Sequence, residues 1–384
     1  MGTERAHVRR AGSHGLARSA VCLIAFLVAT GVGAASASQG AASHPAAAAV
    51  WSISSLRPPA AARLSDVACA SATACKAVGT YGNDSTTSIP FIESWNGKSW
   101  SRERGPTPAG SWLNGVSCVS AQWCRAVGWA GNFADALVMS WDGQRWTAKR
   151  FAGLGVLDGV SCVSRTFCVA VGNRGSATLV QQWNGRIWSV VPSPNRGSEF
   201  DDLASVSCVS PAWCVAVGSW ESTQVGGGEI ERPLVEWWNG RVWTLVSSPG
   251  FAPDLDFVRL ASVSCASVRM CVAVGDTADG APHTHRIVEM WDGAHWTLVT
   301  GLPVLSSSFD TLAGVSCPSA RFCRAVGSYV PAAGTARTLV EGWNGETWSI
   351  VASPNTTGAS GLGRVSCPST TSCQAIGVPS ESYG

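Results

Sequence analysis

Fourteen of the fifteen cysteines occur in pairs whose members are separated by five residues. In a secreted chain, pairs of this regularity indicate disulfide bonds, because the oxidising compartment favours them and a short connecting loop brings two Cβ atoms within bonding reach. We therefore predict seven disulfides. The pairs are Cys69 and Cys75, Cys118 and Cys124, Cys162 and Cys168, Cys208 and Cys214, Cys265 and Cys271, Cys317 and Cys323, and Cys367 and Cys373.

Zinc binding and free buried thiols are the alternative uses of these cysteines. A structural zinc ion takes four ligands, whereas these cysteines form isolated pairs with no histidine in register. Free thiols are disfavoured outside the cell. Disulfides are the favoured interpretation, and we expect neither a metal site nor a cofactor.

Polar side chains just before the V-S-C segment, which contains the first cysteine of each pair, form a second set of residues that could do chemistry. The sequence around the cysteine pairs recurs seven times, and four of these copies carry a polar side chain there: Asp66, Asn114, Asp158 and Arg364. The other three copies have Ala, Ser or Gly. Catalysis needs several acids, bases or cations that converge on one point, so this set suits ligand binding better than catalysis. For Asp66 and Arg364, the alternative to ligand binding is a structural role as an ion pair between the first and last copies.

Three tryptophans are candidates for ligand contact. Thirteen of the 19 tryptophans occupy two fixed positions of the repeat, which indicates packing, whereas Trp112, Trp129 and Trp220 lie outside those positions. Exposed indoles on loops suit stacking against a sugar or peptide, because they combine an apolar face with a polar edge. Alternatively, these tryptophans cover the edges of the sheets, and the sequence supports this role as well as it supports ligand contact.

The cysteine pairs mark an internal repeat, and each copy is called here by its place in the chain, from repeat one to repeat seven. Successive copies lie roughly fifty residues apart, a period typical of propellers and solenoids. Each copy contains four short segments rich in β-branched and aromatic residues, of the patterns V-S-C, C-x-A-V-G, L-V-E-x-W and W-[ST]-x-V. Asn-Gly or Asp-Gly joins the third segment to the fourth, which predicts a tight hairpin.

The two ends of the chain complement each other. Trp51 opens a segment that matches the end of a repeat, and Leu362 to Gly377 supply only the beginning of one. A ring needs its first and last blades tied together, whereas a solenoid has no use for this arrangement. The sequence therefore predicts an all-β fold: a seven-bladed β-propeller of four-stranded antiparallel blades, closed by an N-terminal strand that joins the C-terminal blade. The third strand of the last blade is missing from the repeat pattern.

This pattern resembles the kelch-type β-propellers, the family that includes galactose oxidase. The resemblance covers roughly residues 51–377 and lies in the strand order, in the A-V-G ending of strand two, as in Ala216-Val217-Gly218, and in the aromatic residue that opens strand four. The chain departs from the kelch pattern because it lacks the Gly-Gly doublet and adds a cysteine pair to each blade. The resemblance implies the architecture but no catalytic residue. The tyrosines are too few and misplaced for a copper radical oxidase or a sialidase.

The N-terminus has the pattern of a secretory signal. Four arginines precede an apolar run from Ala20 to Val32, and A-A-S-A-S follows at 34–38. We predict a signal peptide over 1–37, a flexible Ala-rich linker over 38–49 and one propeller domain over 50–384. An uncleaved membrane anchor is the alternative, but the apolar run is short for a span. The mature protein is thus expected outside the cell and free of the membrane.

The composition limits the partners. Only 14% of residues are charged and the formal net charge is +2, so nucleic acid is not expected to bind. Variable loops fall on one face of the predicted ring, and loops carry most binding functions. We expect a monomer that binds an extracellular glycan or protein through that face, with Asp66, Asn114, Asp158, Arg364, Trp112, Trp129 and Trp220 as candidate contacts. An extracellular carbohydrate-active enzyme, resembling a glycosidase or lyase, is the alternative.

Overall fold

A computed structural model describes residues 24–28, 51–54, 62–197, 199–223, 229–249, 251, 255, 257–278, 284–305, 307–332, 334–356, 358 and 360–378. Within these ranges the regular structure consists of strands, with no helix. No helix in the same ranges is therefore long and apolar enough to cross a membrane. The all-β prediction is confirmed.

The described residues form 28 strands, which follow the sequence repeat. The strands before repeat one are β1 (Ile24–Val28) and β2 (Ser52–Ser54). Those of repeats one and two are β3 (Ala62–Ser71), β4 (Ala74–Tyr81), β5 (Ile89–Trp95), β6 (Trp100–Arg102), β7 (Ser111–Ser120), β8 (Trp123–Ala130), β9 (Asp135–Trp141) and β10 (Trp146–Phe151).

The remaining repeats continue the same order. Repeats three and four contain β11 (Val156–Ser164), β12 (Phe167–Arg174), β13 (Ala177–Trp183), β14 (Trp188–Val190), β15 (Phe200–Ser210), β16 (Trp213–Thr223), β17 (Glu229–Trp238) and β18 (Trp243–Leu245). Repeats five to seven contain β19 (Phe257–Ser267), β20 (Met270–Ala278), β21 (Thr284–Trp291), β22 (Trp296–Leu298), β23 (Ser307–Ser319), β24 (Phe322–Pro331), β25 (Arg337–Trp343), β26 (Trp348–Ile350), β27 (Gly361–Ser369) and β28 (Ser372–Val378).

Each repeat forms a four-stranded antiparallel sheet in which consecutive strands are neighbours. Repeats four, five and six are joined into one 12-stranded sheet by two parallel pairings, Glu231 with Phe257 and Thr284 with Phe309. The apolar core lies between adjacent repeats. For example, Val78 and Ile92 of repeat one pack in one cluster with Leu113, Val116 and Met139 of repeat two.

The hairpin from strand three to strand four is built as the sequence predicts. In repeat three Gly185 has a φ of 93°, which suits glycine, and Asn184 Oδ1 accepts hydrogen bonds from the N–H groups of Arg186 and Ile187. The hairpin sets Trp183 opposite Trp188, with ring centroids 5.8 Å apart. The fixed tryptophans are therefore packing residues.

The seven predicted disulfides are confirmed among the described residues. Each joins the end of a first strand to the start of the second, and Cys168 also lies opposite Trp183 of the third strand. Disulfides and hairpins thus share one end of each sheet, which we call the cysteine end. The loops after second and fourth strands lie at the opposite end, called here the loop end.

The serine of the V-S-C pattern links each repeat to the next. Its hydroxyl oxygen accepts a hydrogen bond from the backbone N–H of the first cysteine in the following repeat. The bonds run from Cys162 to Ser117, Cys208 to Ser161, Cys265 to Ser207, Cys317 to Ser264, Cys367 to Ser316 and Cys69 to Ser366. Repeat one has Ala68 at this position, which explains why Cys118 is not in the series.

The sheet of repeat seven includes strands from the N-terminal part of the chain, in the order β2, β1, β28 and β27. The strand that follows Trp51 is expected to join the sheet of repeat seven, and β2 does lie in this sheet. It is connected through β1, which lies between β2 and β28 and pairs with both. Strand β1 therefore occupies the third position that the repeat pattern leaves empty. It falls within the predicted signal peptide, so removal of residues 1–37 would separate it from β28. The predicted linker over 38–49 lies outside the described residues.

Trp51 is held by more than this pairing. Its side chain is 3% exposed and packs in one cluster with Val326 and Val340 of repeat six and Leu362 and Val365 of repeat seven. It therefore contributes to the core between repeats six and seven. In addition, β27 of repeat seven contacts β3 of repeat one.

Glutamates recur at one position of the third strands, and they are buried. Ser193 donates a hydrogen bond to Glu236 Oε2 over 2.6 Å, and Ser248 donates to Glu289 Oε1 over 2.7 Å. Each serine belongs to the repeat before its glutamate. Burial raises the pKa of Glu236 to about 8, although the Ser193 hydrogen bond opposes the shift. These glutamates join neighbouring repeats.

Candidate functional site

A β-bulge lies near the loop end of every first strand. The bulged residues are Ser65, Asn114, Asp158, Ala204, Ala261, Ala313 and Gly363. A bulge adds one residue and rotates the strand, so the side chain at that point can leave the regular alternation. Two of the four predicted polar residues lie at the bulge, and the other two follow it directly.

One cavity of about 310 Å³ is lined by residues from the first strands of all seven repeats. Asp66, Asp158 and Arg364 are among its lining residues. Asn114 reaches the same group because its Nδ2 donates to Asp158 Oδ1 over 2.9 Å and to the Leu157 carbonyl over 3.1 Å. The structure therefore brings together the four polar residues singled out in the sequence.

Asp66 is fixed by backbone donors from two repeats. Its Oδ1 accepts from the N–H of Val67 and its Oδ2 from the N–H of Val116, both over 2.8 Å. The hydroxyl groups of Ser205 and Ser262 accept backbone hydrogen bonds at the equivalent position of repeats four and five. Part of the role of Asp66 is thus to join repeats. Burial raises its pKa to about 6, while the charge of Arg364 acts in the opposite direction.

Arg364 hydrogen-bonds to the backbone. Its Nη1 donates to the carbonyl oxygens of Ala313 and Gly363, which anchors the guanidinium at the edge of the cavity. The hydrogen bonds that Asp66 accepts likewise come from the backbone, so the two side chains interact through charge rather than as a hydrogen-bonded pair. Arg364 is therefore the positive group of a cavity that also holds carboxyl groups.

Asp202 of repeat four is a member of this group that sequence reasoning missed. Burial raises the pKa of Asp158, and the nearby negative charge of Asp202 raises it further. Asp202 is half-buried, its partial burial raises its pKa as well, and Asn173 Nδ2 donates to its Oδ1 over 2.9 Å. Each carboxyl group is thus oriented by one asparagine. Two carboxyl groups that interact in this way resist ionising together, so one of them keeps its proton to a higher pH than an isolated carboxyl group does.

The sequence offered one signal for Asp202. Asp201 and Asp202 are an adjacent pair of acids, but their surroundings lack the pattern of a calcium loop. In the structure Asp201 accepts from the N–H groups of Arg196 and Gly197, whereas its neighbour interacts with Asp158. Successive strand residues point to opposite faces, so the two roles belong to opposite faces of β15. We name Asp66, Asn114, Asp158, Asp202 and Arg364 the mouth cluster.

The expectation that the three tryptophans are exposed on loops is wrong. Trp112 and Trp129 lie in β7 and β8, directly opposite each other, and their rings stack with centroids 5.5 Å apart. Trp129 is only 4% exposed. Trp220 lies in β16, is half-buried against a core cluster, and has the Arg196 guanidinium 5.3 Å from its ring centroid. The first and second strands extend further towards the loop end than the repeat pattern predicts, which places these indoles within the sheets.

The described residues contain no group of three or more His, Cys, Asp or Glu side chains arranged to hold a metal ion. The mouth cluster is instead a set of hydrogen-bonding groups with one fixed cation. Such a set can bind hydroxyl, amide or ammonium groups of a ligand, and a paired carboxyl group can also transfer a proton.

Solved structures share this architecture. YCF48 bound to D1 peptide matches with a TM-score of 0.54 at 11% identity, covering 83% of this chain and 91% of that one. U3-55K matches with a TM-score of 0.52 at 11% identity, covering 83% and 96%. Both are β-propeller proteins. The fold is that of a β-propeller.

The likeness is one of fold alone, because the identities are low. YCF48 from Cyanidioschyzon merolae gives a TM-score of 0.50 at 11% identity, covering 83% of this chain and 95% of that one. No family model matches the sequence, and no curated protein matches it. The propeller prediction is therefore confirmed at the level of repeated four-stranded blades, and the kelch type stays a prediction.

Proposed function

We propose that the chain is a secreted, monomeric propeller whose seven repeats close into a ring, and that it binds an extracellular glycan or protein over the mouth cluster. The observation that carries this proposal is the convergence of Asp66, Asp158 and Arg364, from three separate repeats, on one cavity of about 310 Å³. Polar groups that converge from rigid strands onto a concave surface are the usual form of a binding site.

Two features support the closed ring. Strand β27 contacts β3, and the Cys69 to Ser366 hydrogen bond has the same form as the bonds between consecutive repeats. The disulfides support secretion, because bonds of this kind persist in oxidising compartments. The predicted signal peptide over 1–37 agrees with that location.

Binding by a propeller of this shape has a precedent among the solved structures. YCF48, which shares the fold, is bound to D1 peptide. A ligand of this chain would use the loop end, where side chains differ most between repeats. There the mouth cluster belongs to repeats one to four and seven, so one side of the cavity is chemically distinct from the other.

The test is a binding screen of the purified, disulfide-bonded protein on arrays of immobilised oligosaccharides and of peptides. Asp158→Ala removes the central carboxyl group and should abolish or strongly weaken the strongest signal. Asp142→Asn is the control, because it removes a carboxylate from a hairpin at the cysteine end, and it should bind like the parent. Equal binding by the parent and Asp158→Ala would exclude the mouth cluster as the site.

The Asp158 and Asp202 pair favours one second candidate, a carbohydrate-active enzyme. An acid that stays protonated near neutral pH beside a second carboxyl group can act as a general acid with its neighbour as base. Incubation with polysaccharides would then release new reducing ends or unsaturated products, and Asp202→Asn would stop the release. Binding without any product favours the first proposal.

A further inference from the structure

Phe133 is an exposed aromatic residue held in an unfavourable backbone conformation. Its side chain is 57% exposed, and its φ is 66°. Asn132 before it has a φ of 59°, and these are the two non-glycine residues with positive φ in the part of the chain that the structure describes. Asparagine tolerates this conformation, but an aromatic residue rarely adopts it. Such strain persists only where the surroundings fix it, and it often marks a functional site.

Backbone hydrogen bonds fix the loop on both sides of Phe133. Gly131 N–H donates to the Gly110 carbonyl over 3.0 Å, and Gly155 N–H donates to the Ala134 carbonyl over 3.0 Å. An ion pair of 2.9 Å between Arg150 and Asp135 closes the same region. The loop is thus braced against the segments before and after it, and the position of the aromatic ring is set in advance.

The Phe133 ring continues a stack that begins beside the mouth cluster. It lies on Trp129 with centroids 4.0 Å apart and an interplanar angle of 25°, and Trp129 lies on Trp112 at 5.5 Å and 12°. Trp112 is two residues before Asn114, which donates to Asp158. One face of the Phe133 ring is covered by Trp129, and the exposed fraction of the residue indicates that the opposite face is open to solvent.

We propose that Phe133 is the stacking surface of a carbohydrate site that extends from the mouth cluster across repeat two; this rests on the proposed function and assigns its ligand to the glycans. A pyranose ring presents C–H groups on one face and hydroxyl groups at its edge. The open face of Phe133 complements the C–H groups, and the carboxyl and amide groups of the mouth cluster complement the hydroxyl groups of a neighbouring sugar.

The rigidity of the Phe133 loop should also favour binding. A ring whose backbone and stacking partner are already fixed loses little conformational entropy when a ligand covers it. The tryptophans predicted as contacts then act beneath the site, where Trp129 supports the Phe133 ring. An oligosaccharide is favoured over a single sugar, since Trp129 and Trp112 separate the Phe133 ring from the segment that carries Asn114.

The test uses Phe133→Gly and Phe133→Trp on the oligosaccharide array, followed by titration of the oligosaccharide that binds the parent most tightly. Phe133→Gly removes the ring and also relieves the strain, because glycine accepts positive φ readily. Relief of the strain offsets the lost contact with Trp129, so the variant should melt close to the parent yet bind about three- to ten-fold more weakly. Phe133→Trp keeps an aromatic face and should bind within about two-fold of the parent.

The outcomes separate this inference from the proposed function. If Asp158→Ala loses binding while Phe133→Gly binds like the parent, the role of Phe133 is refuted and the mouth cluster stands. If the parent binds peptides and no oligosaccharide, the assignment to glycans is refuted and a binding function stands. If the parent binds nothing on either array, both proposals fail.

Discussion

The backbone N–H of Cys69 donates a hydrogen bond of 3.0 Å to the hydroxyl oxygen of Ser366. These residues are 297 positions apart, in the first and last repeats, yet the bond has the same length and form as the one between Cys208 and Ser161 of consecutive repeats. The seam between the two ends of the chain is therefore built like the interior of the repeat array.

Removing the Ser366 hydroxyl, which joins the first and last repeats, should destabilise the protein as much as removing the Ser161 hydroxyl, which joins consecutive repeats. Ser366→Ala and Ser161→Ala each delete the acceptor of one backbone N–H, so each should lower the free energy of unfolding by about 1 kcal/mol. Denaturant unfolding of the two variants beside the parent measures this. A loss for Ser161→Ala with none for Ser366→Ala would show that the seam is open in solution.

Adding the hydroxyl that repeat one lacks should have the opposite effect. Ala68→Ser places an acceptor where Cys118 of repeat two has no serine partner, and it should raise the free energy of unfolding by about 0.5–1 kcal/mol. The same denaturant assay applies. A lower midpoint would mean that the hydroxyl cannot reach the Cys118 N–H and is buried without a partner.

Trp51 should contribute more to the stability of the protein than its equivalent in repeat three, Trp188. Trp51 is buried at the contact of repeats six and seven, so Trp51→Ala should cost about 3–5 kcal/mol. Trp188 opens the fourth strand of repeat three and is only half-buried, so Trp188→Ala should cost less. Thermal unfolding ranks the two variants, and an equal or smaller loss at Trp51 would contradict its role in the core.

Stability should fall as the pH rises through neutrality. Burial raises the pKa of Glu236 to about 8 in the folded state, against an ordinary value of 4.5, so the folded protein binds the proton more tightly. This contribution is complete below about pH 4.5 and is lost as the pH rises through about 8. Burial acts in the same direction on Glu289, whose pKa is raised to about 7.

Glu236→Gln isolates this effect because an amide keeps the size and the acceptor for Ser193. The variant should match the parent near pH 5 and exceed it at pH 9 by on the order of 1–3 kcal/mol. Glu346→Gln, which alters an exposed residue, is the control. A constant difference between Glu236→Gln and the parent across this pH range would show that Glu236 is ionised throughout.

Features that recur in every repeat were predictable from the sequence. The cysteine pairs, the Asn-Gly hairpins and the position before V-S-C have fixed spacing, so the disulfides and the meeting of Asp66, Asp158 and Arg364 follow once the strands are placed. Features that occur once were not. Asp202 and Asp201 differ only in the face of β15 to which they point, and the pairing of Trp112 with Trp129 depends on strands longer than the repeat pattern.

The third strand of repeat seven shows the same limit. It comes from the apolar run at Ile24–Val28, which has no match to the L-V-E-x-W pattern. Strand β1 pairs with β28 because the repeat pattern supplies no other strand for that edge of β28. This free edge exists only in the folded sheet, so no local sequence pattern predicts the pairing. Phe133 likewise stands out through its backbone conformation, which the sequence of its loop does not reveal.

Hydrogen–deuterium exchange, measured with and without the oligosaccharide or peptide that the arrays select, tests most directly where the ligand binds. The mouth cluster account predicts slower exchange at the loop end of the first strands, in residues 64–67, 112–116, 157–160 and 362–365. A carbohydrate ligand should also protect residues 131–134, and the hairpins at the cysteine end, such as 142–145, should exchange unchanged. Protection confined to the cysteine end, with none in the first strands, would contradict the account.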